Sequence, residues 1–246
     1  MDTFEGLILV IAVVAGAIAA VAGFGIGSLL TPFLSTQIGM KEAVAIISIP
    51  HFIGTAVRWY MLREHVDRRV LLGFGLTSAA GGLVGALLHT VIDSPMLTAV
   101  FGVLLLLAGI TGLFGITERL ALNGSAAWVA GIVSGLFGGL VGNQGGIRSA
   151  ALLGFHVPKH AFVATATAVA LIVDAARMPV YFVAHASDFS TNWQTIAIAT
   201  VGVVAGTIVG NRLLTRIPDQ VFQRVVSAII LCLGLAMLLG SLSAVR

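Results

Sequence analysis

Gly23-Phe24-Gly25-Ile26-Gly27-Ser28 cuts an apolar run that begins near residue 5, and Gly142-Asn143-Gln144-Gly145-Gly146 cuts another that begins near residue 126. Glycine opens backbone conformations closed to other residues and weakens a helix, so each stretch reads as a helix break. In hydrocarbon, an unpaired backbone N–H or C=O costs several kcal/mol. A helix broken at membrane depth therefore survives only inside protein or beside a water-filled cavity.

The rest of the chain places these runs in a membrane. Of its 246 residues, 58% are hydrophobic and 9% charged, and the mean hydropathy is +1.07. A soluble domain carries about 25% charged residues, so there is too little polar material here to cover one. Apolar segments lie near residues 5–22, 42–62, 70–91, 96–116, 126–142, 160–184, 193–214 and 219–242, and a spanning helix needs about 20 mostly apolar residues. The longest polar stretch, Arg63 to Arg69, is a connector. Asp2 and Glu5, with no Lys or Arg before the first segment, are the wrong charge for a secretory signal, so that segment is kept as structure. The single cysteine, Cys232, cannot form an intrachain disulfide and is expected as a small buried hydrophobe. The net charge of +3 reports membrane topology, not nucleic-acid binding.

A shift from Gly27 to Gly145 also brings Leu34 onto Leu152, Lys41 onto Lys159 and Ala43 onto Ala161. Further on, Gly81-x-x-x-Gly85 corresponds to Gly206-x-x-x-Gly210, Pro95 to Pro218 and Gly109 to Gly234. The chain thus divides into a first membrane repeat, 1–122, and a second, 123–246, forming one integrated transmembrane domain.

Charge placement predicts how the repeats face. If all eight segments cross simply, one side holds Arg63, Arg68, Arg69, Arg119 and Arg246, and the other Lys41, Lys159, Arg212, Arg216 and Arg224. That even split shows no positive-inside bias. If instead the first segment of each half breaks at its glycines and returns to its own side, the second half is inverted. One side then collects Arg63, Arg68, Arg69, Arg119, Lys159, Arg212, Arg216 and Arg224, leaving Lys41 and Arg246 opposite. The expected fold is all-α and polytopic, with two inverted four-segment repeats that each begin with a glycine-broken, re-entrant helix. Both termini are expected outside the cytoplasm, in a multi-pass protein of the inner (plasma) membrane.

A helix that restarts after a break presents free N–H groups and the positive end of its dipole. Two such ends brought together form an anion cradle, as in several transporter folds. The candidate substrate-binding residues are Gly25, Gly27 and Ser28 in half one and Asn143, Gln144, Gly145, Gly146 and Arg148 in half two. Asn143 and Gln144 offer amide hydrogens, and Arg148 a full charge with bidentate donors. Plain helix packing is the competing reading of the glycines, and snorkelling to the cytoplasmic face that of Arg148.

Ionisable groups inside a membrane usually have partners. Asp174 and Arg177, three apart on one helix, can pair directly and serve either as a structural pair or in coupling or gating. Arg58, near a segment end, is expected to snorkel. His51, after Pro50, is either a hydrogen-bonded buried histidine or a proton carrier. His51, Arg58, Asp174 and Arg177 form the candidate coupling or gating set. No cluster of Cys, His and carboxylates suggests a metal, and no Walker-type motif suggests direct ATP use. Neither a cofactor nor nucleic acid is expected; the partners are a small anion and the lipid bilayer. The Gly-x-x-x-Gly motifs suit either internal packing or a homodimer contact.

Three features of the chain resemble the sulfite exporter TauE/SafE family, within the toluene-sulfonate uptake permease group. They are the glycine-rich break of each half (Gly23 to Pro32, Gly138 to Gly146), the Lys-x-Ala step at Lys41 and Lys159, and the connector Trp59 to Arg69. The likeness covers almost the whole chain. It implies transport, usually outward, of a small sulfur oxyanion or organosulfonate such as sulfite or sulfoacetate, and no enzymatic activity. Asn143-Gln144 departs from the near-continuous glycine run common at that place. An anion channel would use the same paired half-helices. An intramembrane hydrolase with Ser28 and His51 would need a base in reach of its nucleophile and oxyanion donors.

Overall fold

The computed structural model describes residues 3–89, 95–116, 124–141 and 145–244. Asn143, Gln144 and Arg119 lie outside the described residues. Among those described, every regular element is helical. Helices α1 (Thr3–Ala22) and α2 (Ile26–Ile38) flank the first glycine stretch. Helix α3 (Met40–Leu62) continues through Pro50. Helix α4 (Arg68–Val70) passes through a π turn, Leu71–Gly75, into α5 (Leu76–His89), and α6 (Pro95–Leu113) follows. In the second half, α7 (Gly124–Val141) and α8 (Gly145–Leu153) flank the second stretch. Then come α9 (Lys159–Ala184), which continues through Pro179, and the short α10 (Ala186–Thr191). The chain ends with α11 (Trp193–Arg216) and α12 (Asp219–Ala244).

Five helices among the described residues are long and apolar enough to cross a membrane: Thr3–Ala22, Arg68–Leu88, Lys159–Ala184, Trp193–Arg216 and Val221–Gly240. Of the other three segments read from the sequence, α3 reaches spanning length but carries His51 and Arg58. The apolar stretches of α6 and α7 are shorter. Large apolar side chains face outward along the bundle, among them Val201, Leu72, Val209 and Leu107, a surface that suits lipid and would be a liability in water. Cys232 is one of the exposed residues, contrary to the buried position expected for it. It sits on an outer stretch of α12 beside Leu235, which is also exposed.

The first break is a reversal. Gly23 (φ 80°) and Gly25 (φ 143°) occupy backbone regions that side chains resist, which ends α1 and turns the chain. Helix α2 then packs back along α1, and a Cβ on Gly25 would meet Ile18 and the Ala15 carbonyl.

Glycine contacts give the directions of the packed helices. Gly202, Gly206 and Gly210 lie against Leu9–Ala12, Val13 and Ala17, so α1 and α11 run parallel. Gly131, Gly135 and Gly139 lie against Phe74–Thr77, Ser78–Gly82 and Gly82–Ala86, so α7 and α5 also run parallel. Gly102, Gly109 and Gly112 face Gly234–Leu238, Leu231 and Ser227, which makes α6 and α12 antiparallel. Helices α3 and α9 are antiparallel as well: His51 meets Asp174, and Arg58, one helical stretch later, meets Thr167. Close approach through small residues is how helices associate in a solvent as apolar as their own side chains. Both Gly-x-x-x-Gly motifs make internal contacts of this kind, the packing reading of the two.

One end of the bundle gathers the basic connectors. Asp67 caps α4, and its own N–H donates to the Thr165 hydroxyl of α9. The His65 and His160 rings lie 5.4 Å apart, Lys159 donates to the Ile217 carbonyl, and Phe162 meets Phe222 edge-on. The opposite end joins Val44, Ala45, Ala86 and Tyr181, with Phe189 of α10 against them.

Candidate functional site

The polar groups of the interior converge where α3, α8 and α9 meet the end of α1. Helix α8 starts with glycines because it must approach closely: a Cβ on Gly145 would land on Phe24, and one on Gly146 on Leu105. On the side a Cβ would take, these two glycines therefore contact apolar side chains. The approach brings the start of α8 onto the first break. Ser149 donates to the Ala22 carbonyl (3.1 Å) and Arg148 Nη2 to the Gly23 carbonyl (3.2 Å). Both carbonyls are among those a helix C-terminus leaves unsatisfied, and the guanidinium complements that end's negative dipole.

Arg148 is 0% exposed and Arg58 is 1% exposed. The snorkelling expected of Arg58, and the competing snorkelling reading of Arg148, are both overturned. Arg58 turns inward because Thr167 is there to receive it: Nε donates to the Thr167 hydroxyl at 2.7 Å, and that hydroxyl donates to the Val163 carbonyl. Gly23 links the two arginines spatially. A Cβ on it would touch Ala166, the neighbour of Thr167, while its carbonyl holds Arg148. Among the described residues, Arg58 Nη1 and Arg148 Nε and Nη1 have no hydrogen-bond partner.

Asp174 is the centre of a second group. Its Oδ1 accepts from Arg177 Nε (3.0 Å) and pairs with Nη2 (2.8 Å), as the spacing of three predicts. Its Oδ2 meets His51 Nδ1 at 2.6 Å, a partner on the other half of the chain. The hydrogen-bonded reading of His51 thus holds, and Asp174 binds α3 to α9. Arg177 also reaches toward the Gly138 carbonyl of α7 and lies over the Tyr181 ring, 5.7 Å from its centroid.

Gly25 and Ser28 line an apolar groove of about 410 Å³ with Leu29, Ile229, Cys232 and Leu233, walls unsuited to an anion. Gly27 is buried at the start of α2. Thr167 and Ser149 are the polar partners that sequence reasoning passed over; their signal was a hydroxyl in an otherwise apolar segment, Ser149 directly after Arg148. No group of three or more His, Cys, Asp or Glu able to hold a metal occurs among the described residues.

Two buried guanidinium groups with neutral partners, set against a carboxylate bound elsewhere, make a site electrostatically suited to a negative ion. Comparison with curated proteins and with solved structures returns no match. The pattern that defines the sulfite exporter TauE/SafE family matches residues 8–237, nearly the whole chain, and the protein belongs to that family.

Proposed function

We propose that the protein is a secondary transporter that carries a small anion, a sulfur oxyanion or organosulfonate, out of the cell, and that Arg58 and Arg148 bind it beside the first helix break. The observation that carries this reading is the pair of fully buried guanidinium groups with N–H groups that have no partner among the described residues. A buried charge is costly unless paired, and a substrate anion supplies the partner. The reading moves the weight of recognition from the glycines to the arginines. The glycines let α8 reach the break, and Asn143 and Gln144, next in the chain before α8, add amide donors.

Inverted repeats give this site its means of alternating access. The antiparallel pairs α3–α9 and α6–α12 favour inversion, because eight simple crossings would make both pairs parallel. So does the meeting of the 63–67 connector with the start of α9 and the end of α11 at one end of the bundle. The excess of Lys and Arg favours placing that end in the cytoplasm of a plasma-membrane protein, with both termini outside.

Flux of labelled sulfite from proteoliposomes tests the assignment. Hydrogen bonds to charged groups contribute about 1.5–3 kcal/mol. Arg148→Ala and Arg58→Ala should each raise the half-saturating concentration about tenfold or more, while Arg224→Gln, exposed near the start of α12, leaves it alone. Wild-type saturation in both arginine variants would move the site elsewhere.

A further inference from the structure

The buried charges do not balance, and the imbalance specifies a ligand. Among the described residues, three guanidinium groups, those of Arg58, Arg148 and Arg177, are buried with one carboxylate, Asp174. That carboxylate is fully engaged: Oδ1 is held by Arg177 and Oδ2 by His51. Neither oxygen bonds Arg58 or Arg148. Those two rest on a threonine hydroxyl and a glycine carbonyl, both uncharged. Two formal positive charges near Gly23 are thus out of water and bonded to no anion among the described residues; Asp174 acts on both through space without bonding either. Three of their nitrogens are also without a partner among the described residues.

Given that this pair is the substrate site proposed above, we infer that it selects a compact dianion and that Arg58 and Arg148 set the charge rule. Moving an ion out of water costs several kcal/mol even after relaxation, and pairing offsets it only where opposite charge is in contact. A monoanion offsets one guanidinium and leaves the other buried and bare. A dianion offsets both. The ion must also be small, because both donor sets must meet one ligand beside Gly23, whose carbonyl holds Arg148 and whose Cα side faces Ala166, next to the Thr167 that holds Arg58. A proton on His51 would add positive charge and strengthen the same preference. Sulfite in its doubly charged form and thiosulfate satisfy the rule. Methanesulfonate, nitrate and acetate, each with one charge, do not.

The test is calorimetric binding to the purified, full-length protein at constant ionic strength and alkaline pH, where sulfite is a dianion. Thiosulfate and sulfite should bind at least about tenfold more tightly than methanesulfonate, nitrate or acetate. Removing one charge should change the rule as well as the strength. In Arg148→Gln, and separately in Arg58→Gln, dianion affinity should fall about tenfold or more, while methanesulfonate binds as well as or better than to the wild type. Equal affinity of wild-type protein for monoanions and dianions would overturn the charge rule and leave the anion site in place. An equal loss for both classes in the variants would also overturn it, since the arginines would then supply hydrogen bonds without reading charge. Binding of no anion by folded protein would overturn the site and the rule together.

Discussion

At the residue scale, Asp174 holds the interior together. It satisfies Arg177 on its own helix and His51 on α3, so its loss strands a buried cation and unties the two halves. Breaking a buried pair from one side costs about 3–5 kcal/mol, whereas removing both partners is often tolerated. Asp174→Asn should therefore lower the melting temperature of the purified protein sharply, and Asp174→Asn with Arg177→Gln should recover part of that loss. Additive losses in the double variant would mean that the two side chains do not stabilise one another. Much of this was legible in the sequence: an acid and a base three apart inside an apolar helix predict their own pairing. The inward turn of Arg58 and Arg148 was not. Snorkelling and burial differ only in what waits at the tip of the side chain. Here the receiving groups, Thr167 and Gly23, lie 109 and 125 residues away in the chain.

At the scale of elements, the bundle depends on glycines that allow backbones to touch. A Cβ on Gly206 would fall on the Val13 carbonyl, and one on Gly135 on the Ser78 carbonyl; neither neighbour is a side chain that can swing away. Gly206→Ala and Gly135→Ala should each destabilise the protein by about 1–3 kcal/mol, the usual cost of overpacking. Gly240→Ala, with open space around it, should be neutral or slightly stabilising through helix propensity. Thermal unfolding in detergent ranks the three, and an equal effect at all of them would remove close backbone packing as the reason for these glycines. The Gly-x-x-x-Gly spacing was legible but its partner was not, because a small-residue stripe fits a neighbouring helix and a second molecule equally well. Cys232 misled for a related reason: an apolar residue in a membrane helix is at home facing lipid or protein, so hydrophobicity does not tell inside from outside.

At the scale of the whole molecule, the account holds that two halves lie in the membrane in opposite senses around the buried arginines. The basic connectors pointed to this because the positive-inside bias is a sum over many residues and survives errors at any one of them. The antiparallel packing of α3 against α9 and of α6 against α12 supports the same proposal. Sidedness can be measured directly. With Cys232 replaced by Ser, single cysteines are placed at Glu64, after α3, and at Ser187, in α10, both exposed positions. Each is then exposed to a membrane-impermeant thiol reagent in intact cells and in permeabilised cells. The account predicts that Ser187→Cys reacts in intact cells and that Glu64→Cys reacts only after permeabilisation. If both cysteines react from the same side, the chain crosses the membrane as eight simple spans, and the inverted arrangement is wrong.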